Sequence, residues 1–155
     1  MKQVLFKSGK AFVENTPAPS VEPGTVLVHV EYSCISAGTE ISGVRSSGEP
    51  IWKRALKHPD EVKQVLSMVS DQGIRRIHRM VKGKLTSGTA LGYSAAGKVI
   101  AVGEGISDLV EGDKVACAGA QCAHHAEIIR VPRNLVARMP KDLSMESGST
   151  VTLGA

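Results

Sequence analysis

Aromatic side chains are nearly missing from this chain: two Phe, two Tyr and one Trp make up 3% of its 155 residues. A core must therefore be built mainly from Val, Ile, Leu and Ala. The scarcity also argues against a platform of exposed rings for stacking single-stranded nucleic acid. Cysteine is sparse as well. Cys34, Cys117 and Cys122 are odd in number and widely placed, which excludes a disulfide-framework scaffold and points to a reducing, cytoplasmic setting. No apolar run is long enough to span a bilayer. The apolar part of Met1–Lys7 is too short for a signal peptide. Neither charge sign dominates: 19 Lys and Arg against 15 Asp and Glu leave a net +4. That excess is compatible with several anionic partners and specific to none.

What is present is ordinary for one soluble domain, with 42% hydrophobic and 22% charged residues. Three textures succeed one another. Up to about Ser42 the chain reads as strands, at Met1–Lys7, Ala11–Glu14 and Val26–Tyr32. In the last of these, Val26, Val28 and Val30 alternate with Leu27, His29 and Glu31, the period of a half-buried strand. Between about Gly43 and Thr89 the period becomes helical. Val62, Val65, Leu66 and Val69 share one face, Ile74, Ile77 and Val81 suggest a second helix, and Ile51–Lys57 a shorter one. From Leu91 strands return, at Gly97–Val102, Lys114–Ala118, His125–Val131 and Leu135–Met139, with turns at Gly103–Gly105 and Gly112–Asp113. Ser144 suits the N-cap of a helix. Short strands with close Gly and Pro turns suggest a mainly β, partly open barrel carrying a helical insertion.

The third region carries a resemblance. Gly92–Gly105 followed by Asp108–Val115, with Gly112-Asp113-Lys114-Val115 at its end, resembles the "GxVxxVGxGV … GDRV" block of the medium-chain dehydrogenases/reductases. Ala126–Pro132 is similar to that family's "AEYVVVP" strand, Leu143–Ala155 to its "LSxEEAA" helix, and Val26–Thr39 to its "VLVKVxAxGICGTD" segment. Within the family, Ser33–Glu40 looks closest to a bacterial subgroup of two-domain oxidoreductases. The resemblance implies a chaperonin-10 (GroES)-like substrate domain spanning residues 1–155, with the helical insertion at about 43–89. The Rossmann nucleotide-binding domain is expected to lie outside this chain. The implied activity is NAD- or NADP-dependent oxidation or reduction of an alcohol, carbonyl or enone, and the chain alone is expected to be inactive.

The departures from the family pattern bear on metal chemistry. Zinc-dependent members hold a catalytic metal with Cys, His and Cys. The corresponding positions here hold Ser36 (or Ala37), Tyr93 and, nearest the third, Thr152, with Ser94 where the family has Glu. Neutral hydroxyls are poor zinc ligands. The resemblance therefore implies a zinc-free member, with Thr152 on the cofactor side. Its four-cysteine zinc lobe is missing too. Cys117, Cys122, His124 and His125 form the best remaining metal cluster. Their spacing matches no familiar finger, and adjacent His residues on a strand face opposite ways. The plain alternative is a turn with buried thiols.

Ser36, Thr39 and Tyr93 are the candidate reaction centre, since hydride transfer to a carbonyl needs a hydrogen-bond donor where charge develops on oxygen. The plain alternative is that the first two satisfy turn amides and Tyr93 packs. Gly103-Glu104-Gly105 lacks the third glycine of a dinucleotide fingerprint and reads as a hairpin turn. The insertion holds nine basic residues between Lys53 and Lys84 against three acidic ones, Asp60, Glu61 and Asp71. It is a candidate for steering a phosphate-bearing substrate or meeting an acidic partner, and its plain reading is a solvated helix face. A binding or interaction module with no redox role is the rival to the enzymatic reading.

Overall fold

The computed structural model describes residues 1–7, 9–38 and 88–151. Eight strands appear among them: β1 (Lys2–Lys7), β2 (Lys10–Asn15), β3 (Thr25–Ser33), β4 (Thr89–Ala90), β5 (Ser94–Val102), β6 (Lys114–Ala118), β7 (Ile128–Pro132) and β8 (Val136–Arg138). Helix α1 (Met145–Thr150) opens with the Ser144 hydroxyl accepting the Ser147 amide at 3.2 Å, the N-cap expected from the sequence. The three predicted helices within 51–83 lie outside the described residues.

Two antiparallel sheets form, in the orders β2-β1-β4 and β7-β3-β5-β6-β8. The bridge between Gln3 and Ala126 and the bond from the Val4 amide to the His125 carbonyl (2.8 Å) join them. This is the mainly β architecture expected from the short strands and close turns. Some boundaries move. β5 begins three residues earlier than its hydrophobic pattern suggests, and β7 begins three residues later. Thr89–Ala90 is a strand paired with Leu5 and Phe6, so the expected end of the insertion at Thr89 gives way to sheet. Before β8 the chain makes a 3-10 turn at Arg133–Leu135.

The core is aliphatic, as the shortage of rings requires. Val26, Val28, Ala95, Val99, Val115 and Val131 are fully or nearly fully buried between the strands. A second cluster, Ala96, Ala116, Met139 and Met145, seals the other face of β5 and β6 beneath α1. β5 is thus covered on both sides, which explains its run of small residues, Ser94-Ala95-Ala96-Gly97. Gly97 is required by close approach: a Cβ there would lie 2.0 Å from the His29 carbonyl oxygen on β3. Gly103 is confined similarly, with the Glu22 carbonyl oxygen 2.0 Å from where its Cβ would be. The Gly103–Gly105 run is therefore a tight turn against the start of β3, as its missing third glycine suggested. Arg133 clamps Asp108, and Arg138 reaches Asp113 at 2.6 Å, fixing the long loop after β5.

Gly97→Ala should force β3 and β5 apart. We expect it to lower unfolding stability by about 3 kcal/mol or more, measured by chemical denaturation. Ala at Gly105, where a Cβ meets nothing within 4 Å, should cost only the strain of its positive φ.

Candidate functional site

The end of β3 and the start of β5, called the mouth below, carry several polar side chains. Two register shifts shape this mouth. In the second, β3 slips by one residue between Val30 and Tyr32: Val30 faces Gly97, Tyr32 faces Ala96 and Ser33 faces Ala95. Simple alternation from Val26, Val28 and Val30 would turn Tyr32 inward and Ser33 outward. The bulge reverses this. Tyr32 is left 46% exposed, and its hydroxyl meets the Glu146 carboxylate on α1, whose charge holds the phenol above its ordinary range. Ser33 takes the inward position, and its Oγ lies 2.8 Å from His125 Nδ1.

The pairing continues one residue further, with the Cys34 amide donating to the Ser94 carbonyl at 3.1 Å. Ser36 comes two residues along, half-buried, and half-buried Tyr93 immediately precedes Ser94. The Tyr93 carbonyl accepts the Gly119 amide at 2.9 Å, which fixes the backbone at the start of β5. Ser36 thus follows the end of β3 by three residues, and Tyr93 directly precedes β5. Thr39 and Thr152 lie outside the described residues. Ser94, buried, donates its hydroxyl to the Ser149 carbonyl at 2.5 Å and so anchors α1 beside the mouth.

The metal candidates are dispersed. Cys117 is enclosed in the core, and burial, with the neighbouring Cys122 second, pushes its thiol up to about 12. Burial also raises the Cys122 thiol, which donates to the Ala118 carbonyl at 3.4 Å. Cys122 and His124 line a cleft of about 270 Å³ with Gln3 and Arg130. Burial lowers His124 below its ordinary value and so favours its neutral form. His125 turns instead to Ser33. Among the described residues no group of three or more His, Cys, Asp or Glu could hold a metal ion. Ser36 and Tyr93, which stand where the family's zinc members carry Cys and His, are neutral hydroxyls and poor zinc ligands; the half-buried Cys34 lies two residues before Ser36. No helix among the described residues is long and apolar enough to cross a membrane.

Residues 61–145, more than half of the chain, match the family described as the alcohol dehydrogenase GroES-like domain. This chain belongs to that family, and so to the medium-chain dehydrogenases/reductases. Two solved structures show how far the GroES-like fold carries. The quinone oxidoreductase of Coxiella burnetii superposes with a TM-score of 0.65 at 19% identity, covering 97% of this chain and 40% of its own. Galactitol-1-phosphate dehydrogenase of Escherichia coli gives a TM-score of 0.62 at 21% identity, covering 97% and 41%. At these identities the likeness is one of fold. A partially reducing polyketide synthase of Menisporopsis theobromae is 39% identical over 67 residues, which is 43% of this chain and 2% of the synthase. The chain thus spans well under half the length of these relatives.

Sequence reasoning did not single out Ser33 and placed His125 only in an alternative metal cluster, beside the plain reading of a turn with buried thiols. The signal it lacked was the bulge, which no hydrophobic period reveals when the residues concerned are Glu31, Tyr32 and Ser33.

The Cys117 thiol yields a pH prediction. Unfolded, it ionises near 9; folded, near 12. Above pH 9 the unfolded chain gains the thiolate first, so this residue's share of stability is present below pH 9 and lost as pH rises toward 12. Residue-resolved alkylation at about pH 8, below the ordinary thiol range, should label Cys117 last of the three cysteines. Cys117→Ala should flatten the fall in melting temperature above pH 9.

Proposed function

We propose that this GroES-like domain is the substrate side of an NAD(P)-dependent oxidoreductase acting on an alcohol, carbonyl or enone. The observation that carries this reading is the bond from the Cys34 amide to the Ser94 carbonyl, which puts Ser36 two residues beyond one partner and Tyr93 immediately before the other, in a chain whose family match is to the alcohol dehydrogenase GroES-like domain. The nicotinamide supplies or accepts a hydride. Tyr93 or Ser36 donates a hydrogen bond to the substrate oxygen as negative charge grows there, work that a preorganised hydroxyl performs without a metal. Ser94 holds α1 and the mouth in fixed relation through its bond to Ser149. The hydroxyl donor set supports a zinc-free centre, and the three free cysteines support a reducing, cytoplasmic setting.

In the same proposal, the nucleotide-binding domain and most contacts to the cofactor lie beyond these 155 residues, with Thr39 as a further candidate catalytic residue and Thr152 as a candidate for cofactor binding. The chain alone is then inactive. The basic run from Lys53 to Lys84 supports a phosphate-bearing substrate, and the similar galactitol-1-phosphate dehydrogenase is named for such a substrate.

The test is a fluorescence titration of NADPH and NADH with the folded chain, alongside metal analysis after incubation with zinc. The reading expects no saturation in the micromolar range and well under one zinc per chain. Saturable micromolar binding would place a nucleotide site within these residues and overturn the domain assignment. About one tightly held zinc per chain would overturn the zinc-free centre.

A further inference from the structure

We infer that His125 is the positioning residue of the mouth, fixing through Ser33 the point at which β3 leaves the sheet and hence the place of Ser36. The inference rests on the reading of that mouth as the substrate side.

Two strands and the link between β4 and β5 converge on this one residue. Its carbonyl accepts the Val4 amide of β1 at 2.8 Å. Its amide donates to the Leu91 carbonyl, just ahead of β5, also at 2.8 Å. Its ring, in a residue 8% exposed, reaches Ser33 at the last position of β3. The backbone therefore ties His125 to β1 and to the link before β5, while the side chain ties it to β3. A ring bond at the end of a strand restrains the residues just beyond that end. Cys34 makes one further backbone bond, to Ser94, and Ser36 comes two residues later.

Two local features serve this contact. The bulge between Val30 and Tyr32 turns Ser33 inward, where simple alternation would leave its hydroxyl facing away from the ring. Gly92, at φ +101°, leaves open the space the histidine occupies: a Cβ there would lie 2.7 Å from the His125 amide nitrogen and 3.0 Å from its Nδ1. The same glycine directly precedes Tyr93. The residue that makes room for the positioning histidine thus also sets the backbone of the second site hydroxyl. Removing one partner of this partly buried hydrogen bond leaves the other short of its partner, at part of the desolvation penalty of a fully buried group.

Cys34, between Ser33 and Ser36, reports on the end of β3 without substrate or cofactor. Its alkylation rate should be measured by mass spectrometry under native conditions, with Cys117 as the enclosed reference. The variants are His125→Phe, Ser33→Ala, their combination, and His125→Asn, whose amide can replace Nδ1. We expect Cys34 labelling to rise about tenfold in His125→Phe and in Ser33→Ala, as loss of a partly buried bond allows. Cys117 should stay protected, the double variant should show no further rise, and His125→Asn should return toward the wild-type rate. If His125→Phe fails to fold, Ser33→Ala carries the test. Unchanged Cys34 labelling in folded Ser33→Ala, or a joint rise of Cys34 and Cys117, would overturn the inference. Neither result bears on the nucleotide titration, so failure here is distinguishable from failure of the functional reading.

Discussion

Everything at the mouth depends on how closely β3 and β5 approach. Gly97 permits an approach that any Cβ would block at the His29 carbonyl, and the resulting register puts Ser33 opposite Ala95. The small residues of β5 are buried on both faces, by the aliphatic core on one side and by Met139 and Met145 on the other. With few aromatics available, the fold fills its interior by bringing backbones together and not by inserting large rings. Close backbones in turn leave little tolerance for side chains at the crossing points, which is why glycine recurs at residues 92, 97 and 103.

The strand pattern was largely legible because alternation over Val26, Val28 and Val30 reflects real burial, and because the turn after β5 is enforced by sterics at Gly103. The helix start at Ser144 was legible for an equally local reason, a side chain satisfying an end-of-helix amide. Less accessible were features set by partners far along the chain. Two-residue β4 has almost no pattern of its own and exists because Leu5 and Phe6 pair with it. The inward turn of Ser33 results from a bulge against β5. Of the candidate site, Ser36 lies three residues past β3 and Tyr93 directly before β5, positions that follow from the strand pattern, whereas the pairing of Ser33 with His125 across 92 residues lies beyond what spacing can reveal.

The neighbouring histidines illustrate how one short segment can divide two environments. His124 faces a cleft with Cys122 and Arg130, and His125 faces the end of β3. Both precede β7 and lie outside any strand, yet their rings meet different neighbours, and among the described residues no group of three or more metal-ligating side chains includes them. The separation gives His125 to structural work at the mouth. Among the described residues near the end of β3, Ser36 and Tyr93 offer hydroxyls. That chemistry suits hydrogen-bond donation to a developing oxyanion and suits a zinc ion poorly.

The most direct test of where this domain meets its substrate is a nuclear magnetic resonance map of amide shifts on titration with small aldehydes, enones and sugar phosphates. The account predicts concentration-dependent shifts centred on Ser33–Ser36 and Gly92–Ser94. Shifts confined to the cleft around Cys122, His124 and Arg130 would contradict it and move the substrate side to the opposite face of the 119–125 loop.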